Sequence, residues 1–349
     1  MPISASAAID PAFAHTKQQL LRPFRLGQWM RIAVVGILAG EAGSSGGCNF
    51  NYPLSTPHQD SRHFLGAGWP APMGDHPLLL FALVAALIVI GIGLVVLFTY
   101  IASVMRFILF DSIIARECHI RRGWSRRKDI GARLFVFQLW LMLATLAAFL
   151  VVIGIPAGCA AALGWFQHPG DHVLGLVLAG IVWLFIFLAL VIVVVVIGVM
   201  TKDFVVPQMA LEGVSAMDGW RRLWLWVKFD KGGYAGYIGM KIVLAIAAAI
   251  LVTIATFAAI LVLLLPIGGV GVAVAMAAKT AGWTWNLYSI ALAVIVGCVV
   301  FAILMFVILL LSAPAVVFFP AYSIYFFAPR YAQLAALLWP QPATPPAPA

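Results

Sequence analysis

The chain has 349 residues, 64% of them apolar and only 9% charged. Soluble domains carry about half apolar and about a quarter charged residues, so this composition excludes a protein kept in water. The formal net charge of +9 would suggest a nucleic-acid partner, but nearly all the Lys and Arg flank apolar runs and no basic stripe lies on a soluble segment, which argues for no nucleic acid.

Residues 1–28 read as a cytoplasmic N-terminal segment. Met1–Thr16 has no charged start followed by an apolar core, so it does not read as a cleaved signal peptide. A first span is predicted over about 29–43, although its uninterrupted apolar part is only Ile32–Gly40 and Glu41 follows directly. The external loop Glu41–His76 is rich in Gly, Ser, Pro and Asn and should be irregular. It holds the chain's main concentration of metal-capable groups, His58-x-Asp60-x-x-His63 with Asp75 and His76 beyond. A zinc site needs three or four ligands held by structure, and this loop offers no helical frame. No metal, cofactor or catalytic residue is therefore expected.

Five long spans follow at about 77–105, 134–163, 172–200, 238–265 and 286–311. Runs of eighteen or more uncharged apolar residues make helices long enough for roughly 30 Å of hydrocarbon. They are apolar all round, which excludes the alternating strands of a barrel. The fold class is all-α: a polytopic transmembrane helix bundle of six spans with cytoplasmic amphipathic elbow helices, forming one membrane domain over 29–339. The Pro/Ala-rich tail 340–349 is predicted to be disordered.

Orientation follows from the basic residues. The segments 106–133 and 202–241 are rich in Lys and Arg, whereas Gly164–Gly170 between them has none. With six spans, only Arg62 and Lys279 of the 21 Lys and Arg fall outside. Both termini are then cytoplasmic, in a bacterial inner membrane. Cys48, Cys118, Cys159 and Cys298 show no paired spacing, so no disulfide framework is implied.

The span ends repeat. Phe107-Ile-Leu-Phe110, Phe204-Val-Val-Pro207 and Val317-Phe-Phe-Pro320 recur at three of them, and Gly-Trp-x-Arg recurs at Gly123–Arg126 and Gly219–Arg222. The pattern suggests a hairpin repeated three times. Ser215-x-x-Asp218 has the form of a capping box opening a short cytoplasmic helix. On that helix Trp220, Leu223, Trp224 and Val227 share one face, while Arg221, Arg222 and Lys228 lie off it. This is the composition of an elbow helix at the headgroup level, acting either as a lipid or partner contact or simply as an anchor for the hairpin. The basic loop with Arg121, Arg122, Arg126, Arg127 and Lys128 reads as topology-determining, with anionic lipid heads or phosphate-bearing ligands as the alternative.

The interiors of the five long spans contain no Asp, Glu, Lys, Arg or His. Ion-coupled carriers and intramembrane enzymes need such groups at membrane depth. Gln138, Thr145, Thr253, Thr256 and Ser312 are predicted interhelical hydrogen-bonders, and Gly154-x-x-x-Gly158 with Pro156 inside it a close-packing motif with a kink.

Phe204-Val-Val-Pro-Gln-Met-Ala-Leu-Glu-Gly213, then Ser215 and Trp220-Arg-Arg222, resembles a loose group of bacterial six-span proteins of unknown function. That group includes the membrane domain accompanying glycerophosphodiester phosphodiesterases. Leu21-Arg-Pro-Phe-Arg-Leu-Gly-Gln-Trp29 and Pro320-Ala-Tyr-Ser-Ile-Tyr325 add to the likeness. The resemblance implies a membrane domain without an established activity; the catalytic barrel of the fused members is missing. The reading is a non-enzymatic accessory or scaffold acting through the lipid bilayer, anionic lipid headgroups, a membrane-protein partner or a homo-oligomer. The alternatives are an uncoupled facilitator for a small solute and, third, a membrane enzyme using the His58–His76 loop.

Overall fold

The computed structural model describes residues 4–22, 25–41, 77–165, 173–280 and 287–339. All secondary structure among them is helical. Two short helices open the chain, α1 (Ile9–Leu21) and α2 (Leu26–Leu38). Long helices follow: α3 (Pro77–Ala115), α4 (Ile120–Ala162) and α5 (Val173–Met200). A π-helical turn, Thr201–Val205, continues α5 into α6 (Val206–Glu212). Then come α7 (Ala216–Phe229), α8 (Lys231–Thr280), α9 (Leu287–Phe327) and, after a 3₁₀ turn, α10 (Ala332–Leu338).

Five of these helical stretches are long and apolar enough to cross a membrane. At 39 to 50 residues, α3, α4, α8 and α9 run to about 58–75 Å. That is about twice the hydrocarbon thickness, so each helix has two parts with different surroundings. No residue of the most apolar stretch in any of the five is buried. Large apolar side chains stand exposed along 81–98, 136–155, 174–195, 242–265 and 290–306, forming a belt. The packed core lies elsewhere. It comprises the buried faces of α1 and α2, the last turns of α3 and α9, the first turns of α4 and α8, the stretch from Met200 to Ala210, and Ala216, Gly219 and Leu223 of α7. Burial begins close to the ends of the predicted spans, at Ser103, Leu134, Met200, Lys241 and Ser312.

The predicted first span differs. α2 has 13 residues, about 20 Å, short of a crossing. It lies beside the end of α3 and not along the belt: Gln28 Nε2 donates to Arg116 O at 2.7 Å, and Arg106 Nε donates to Ala39 O at 3.0 Å. Gly36 lets α2 press onto α9, since a Cβ there would meet Val316 Cγ1 at 1.9 Å. Of the segment predicted as an external loop only Glu41 is among the described residues, and it lies at the packed end, against Lys202. His58, Asp60, His63, Asp75, His76, Cys48 and the tail 340–349 lie outside the described residues.

Aromatic rings fill the core. Phe204 of the π turn meets Tyr234, Tyr237, Phe326 and Phe327, and Tyr237 stacks on Tyr322 with ring centroids 5.2 Å apart. The repeated motifs converge here. A Cβ on Gly123 would lie 3.0 Å from Ile108, and one on Gly219 would lie 2.8 Å from Val205. In both hairpins, then, the glycine of Gly-Trp-x-Arg rests on the residue after the motif phenylalanine.

Several predicted polar contacts resolve differently. Gln138 is interhelical, accepting from Ser103 Oγ at 2.7 Å. Thr145 and Ser312 instead donate to carbonyls of their own helices, as hydroxyls in apolar helices commonly do. Nothing approaches Gly154 or Gly158, so the small-residue motif packs against nothing among the described residues.

Candidate functional site

Three features at the buried end carry polar chemistry. The first is a cluster of charge that the sequence shows as scattered flanking residues. Pro207 has no N–H to give the Asp203 carbonyl, and the helical ladder widens just before it: Val206 N–H donates five residues back, to Thr201 O. The π turn carries Lys202 and Asp203 into the core. Lys202 Nζ lies 2.7 Å from Glu41 Oε2 at the end of α2. Asp203 Oδ2 accepts from Tyr237 OH at 2.9 Å and from Lys241 Nζ. Arg106 closes the group from α3, and a cavity of about 30 Å³ remains between Arg106, Glu41, Lys202 and Asp203. This is room for a water molecule. Glu41 is only 3% exposed. Burial pushes its carboxyl up, but Lys202, Lys241 and Arg106 outweigh that and hold it below the ordinary carboxylate value. Arg106, Lys202 and Lys241 read from sequence as orientation signals; the pairing of Glu41 with a residue 161 positions away had no local signal.

The second feature is the basic segment after α3. It is not a loop but the first turns of α4. Arg121, Arg122, Arg126 and Lys128 are exposed on it. Arg127 points the other way and is buried. Its guanidinium grips Asp111 with two 2.7 Å hydrogen bonds and donates to Ala210 O at 2.8 Å, tying α3, α4 and α6 together. Bidentate Arg–carboxylate pairs fix geometry in this way.

The third is the elbow helix. Ser215 caps α7: its hydroxyl accepts from Asp218 N–H at 3.2 Å and donates to Asp218 Oδ2 at 2.6 Å. Gly213, with φ +68°, makes the left-handed turn that ends α6 just before it. α7 is docked on the core. Leu223 is fully buried, Trp220 Nε1 donates to Thr201 Oγ1 at 3.1 Å, and Trp226 packs on Phe327 and Tyr331. Trp224 is 56% exposed, with Lys228 Nζ over its ring at 5.8 Å. Arg221 is exposed, while Arg222 pairs with Glu212, which also accepts from Tyr331 OH at 2.5 Å. At the end of the helix, Asp230 caps α8 through Gly233 N–H and binds Arg330 at 2.7 Å, which holds its carboxyl below the usual range.

The predicted stripe Trp220, Leu223, Trp224 and Val227 thus forms one wall of a groove of about 300 Å³. Val196, Ile197 and Met200 of α5 make the second wall; Lys231, Tyr234, Ala235 and Ile238 of α8 make the third. At belt level, by contrast, the cleft between α4 and α5 is walled by apolar side chains, among them Val152, Pro156, Leu178 and Trp183. No group of three metal-capable side chains occurs among the described residues.

No curated protein and no solved structure matches this chain. The comparisons show no tie to the phosphodiesterase-associated membrane domain. One family model covers residues 3–337, and with it the buried cluster, the elbow helix and all five long helices. The chain belongs to that family, described as a family of unknown function (DUF7544).

Proposed function

We propose that this chain is a non-enzymatic accessory or scaffold protein of the bacterial inner membrane, acting through lipids or a membrane partner. One observation carries the reading: five apolar helices leave their membrane-length walls uncovered, while the packed core and its ion pairs sit together at one end. Such walls need acyl chains or neighbouring helices around them. The packed end holds nearly all the Lys and Arg, so it faces the cytoplasm with both termini. Arg121, Arg122, Arg126 and Lys128 enforce this orientation. The absence of ionisable groups along the belt supports a scaffold over a coupled carrier or enzyme. The test is purification in native nanodiscs with mass spectrometry of co-isolated lipids and proteins. A reproducible lipid or protein companion is expected; turnover of a solute by the purified chain alone, in sealed vesicles, would overturn the reading.

A further inference from the structure

The groove beneath α7 continues the lipid-facing surface into the packed end. Its α5 wall begins at Val196, directly after the exposed belt residue Val195; its α8 wall ends at Ile238, one turn before Ile242. The groove therefore opens at the inner boundary of the hydrocarbon, where acyl chains meet headgroups. Its lining is almost wholly apolar, and its volume of about 300 Å³ suits a stretch of acyl chain. At its rim the chemistry changes. Lys231 lines the groove, and Lys228 lies over Trp224 on the α7 side. Among the described residues neither lysine is ion-paired with a carboxylate, and Asp230 between them is taken by Arg330. Tyr234, whose buried hydroxyl has no partner among the described residues, belongs to the same wall. Two tryptophans, Trp220 and Trp224, flank the groove at the depth where indole rings prefer to lie.

We propose that this groove is a specific phospholipid site. One acyl chain lies between Val196, Met200, Trp220 and Ile238, and the phosphate of an anionic inner-leaflet lipid sits against Lys231 and Lys228. The site rests on the lipid-acting reading above and gives it a ligand class.

The full-length protein is reconstituted in nanodiscs containing equal phosphatidylglycerol and phosphatidylcholine, then exchanged into detergent, and the retained phospholipid is measured by native mass spectrometry. Wild type keeps one phosphatidylglycerol. Ala235→Trp fills the groove and loses it. Lys231→Glu leaves the groove open but weakens retention of phosphatidylglycerol at least fivefold, since about 1 kcal/mol attaches to each cation near a charged surface. Circular dichroism and monodispersity establish that both variants fold. Retention by Ala235→Trp equal to wild type overturns the site, and equal retention of the two lipids by wild type overturns the headgroup assignment. A companion carbonate wash separates this from the parent reading: a protein that stays in the membrane yet holds no lipid sinks the groove alone, whereas one that washes off sinks both.

Discussion

Glu41 and Lys202 meet at 2.7 Å across 161 positions of sequence, locking the end of α2 to the π turn after α5. Removing one partner of a buried pair leaves the other charge unpaired, at a cost of about 3–5 kcal/mol. Glu41→Gln should therefore lower the melting temperature of the nanodisc-embedded protein clearly, and Glu41→Gln with Lys202→Met should recover most of the loss. A double variant no better than the single would show that the pair is not the unit. Because the folded carboxyl is held below its ordinary value of 4.5, its contribution is present above that pH and is lost as pH falls below it. Wild type should lose stability on acidification below pH 4.5 more steeply than Glu41→Gln.

His15 predicts a second acid response at higher pH. Its ring joins three helices, with Nε2 3.1 Å from Ile113 O and Nδ1 3.3 Å from Tyr325 OH. Burial, aided by Arg116, lowers its affinity for a proton below the ordinary 6.5. The unfolded chain then binds the proton more readily, so this stability is complete above pH 6.5 and declines as pH falls through and below that value. Unfolding followed from pH 7.5 to 5 should show the decline in wild type and a flatter profile in His15→Gln.

Gly36 is a test of packing. Alanine there would collide with Val316, and overpacking a close helix contact costs about 1–3 kcal/mol. Gly36→Ala should destabilise by that amount, and adding Val316→Ala should relieve it. Independent, additive losses would contradict the close approach of α2 and α9.

The elbow helix separates docking from lipid contact. Leu223 is fully buried and Trp224 largely exposed. Leu223→Ala should cost about 2–5 kcal/mol, whereas Trp224→Ala should leave the melting temperature nearly unchanged. Trp224→Ala should instead reduce the part of tryptophan fluorescence quenched by bromine-labelled acyl chains. If both substitutions destabilise equally, α7 does not sit as described.

The five long helices and their division were legible because apolar composition alone decides which stretches can face lipid. The Ser215–Asp218 cap was legible for the same local reason. What escaped the sequence was non-local. Arg106, Lys202 and Lys241 carry the same letters as exposed orientation signals, and only the π turn before Pro207 brings two of these segments against Glu41 and Asp203. Arg127 sits among four exposed cations, and its helical phase toward Asp111 emerges only once α4 begins at Ile120 rather than after a loop. α2 has the apolar character of a span but too few residues for one, because its apolar face is used against α3 and α9.

The central claim is that the exposed belt is the membrane and the packed end faces the cytoplasm. It is tested most directly with single cysteines, after the four native ones are changed to Ser, at Arg221 and at Leu251. A membrane-impermeant maleimide is applied to intact spheroplasts and to inverted vesicles. Arg221→Cys should label only in inverted vesicles, and Leu251→Cys in neither preparation. Labelling of Arg221→Cys from outside the spheroplast, or ready labelling of Leu251→Cys in either, would contradict the account.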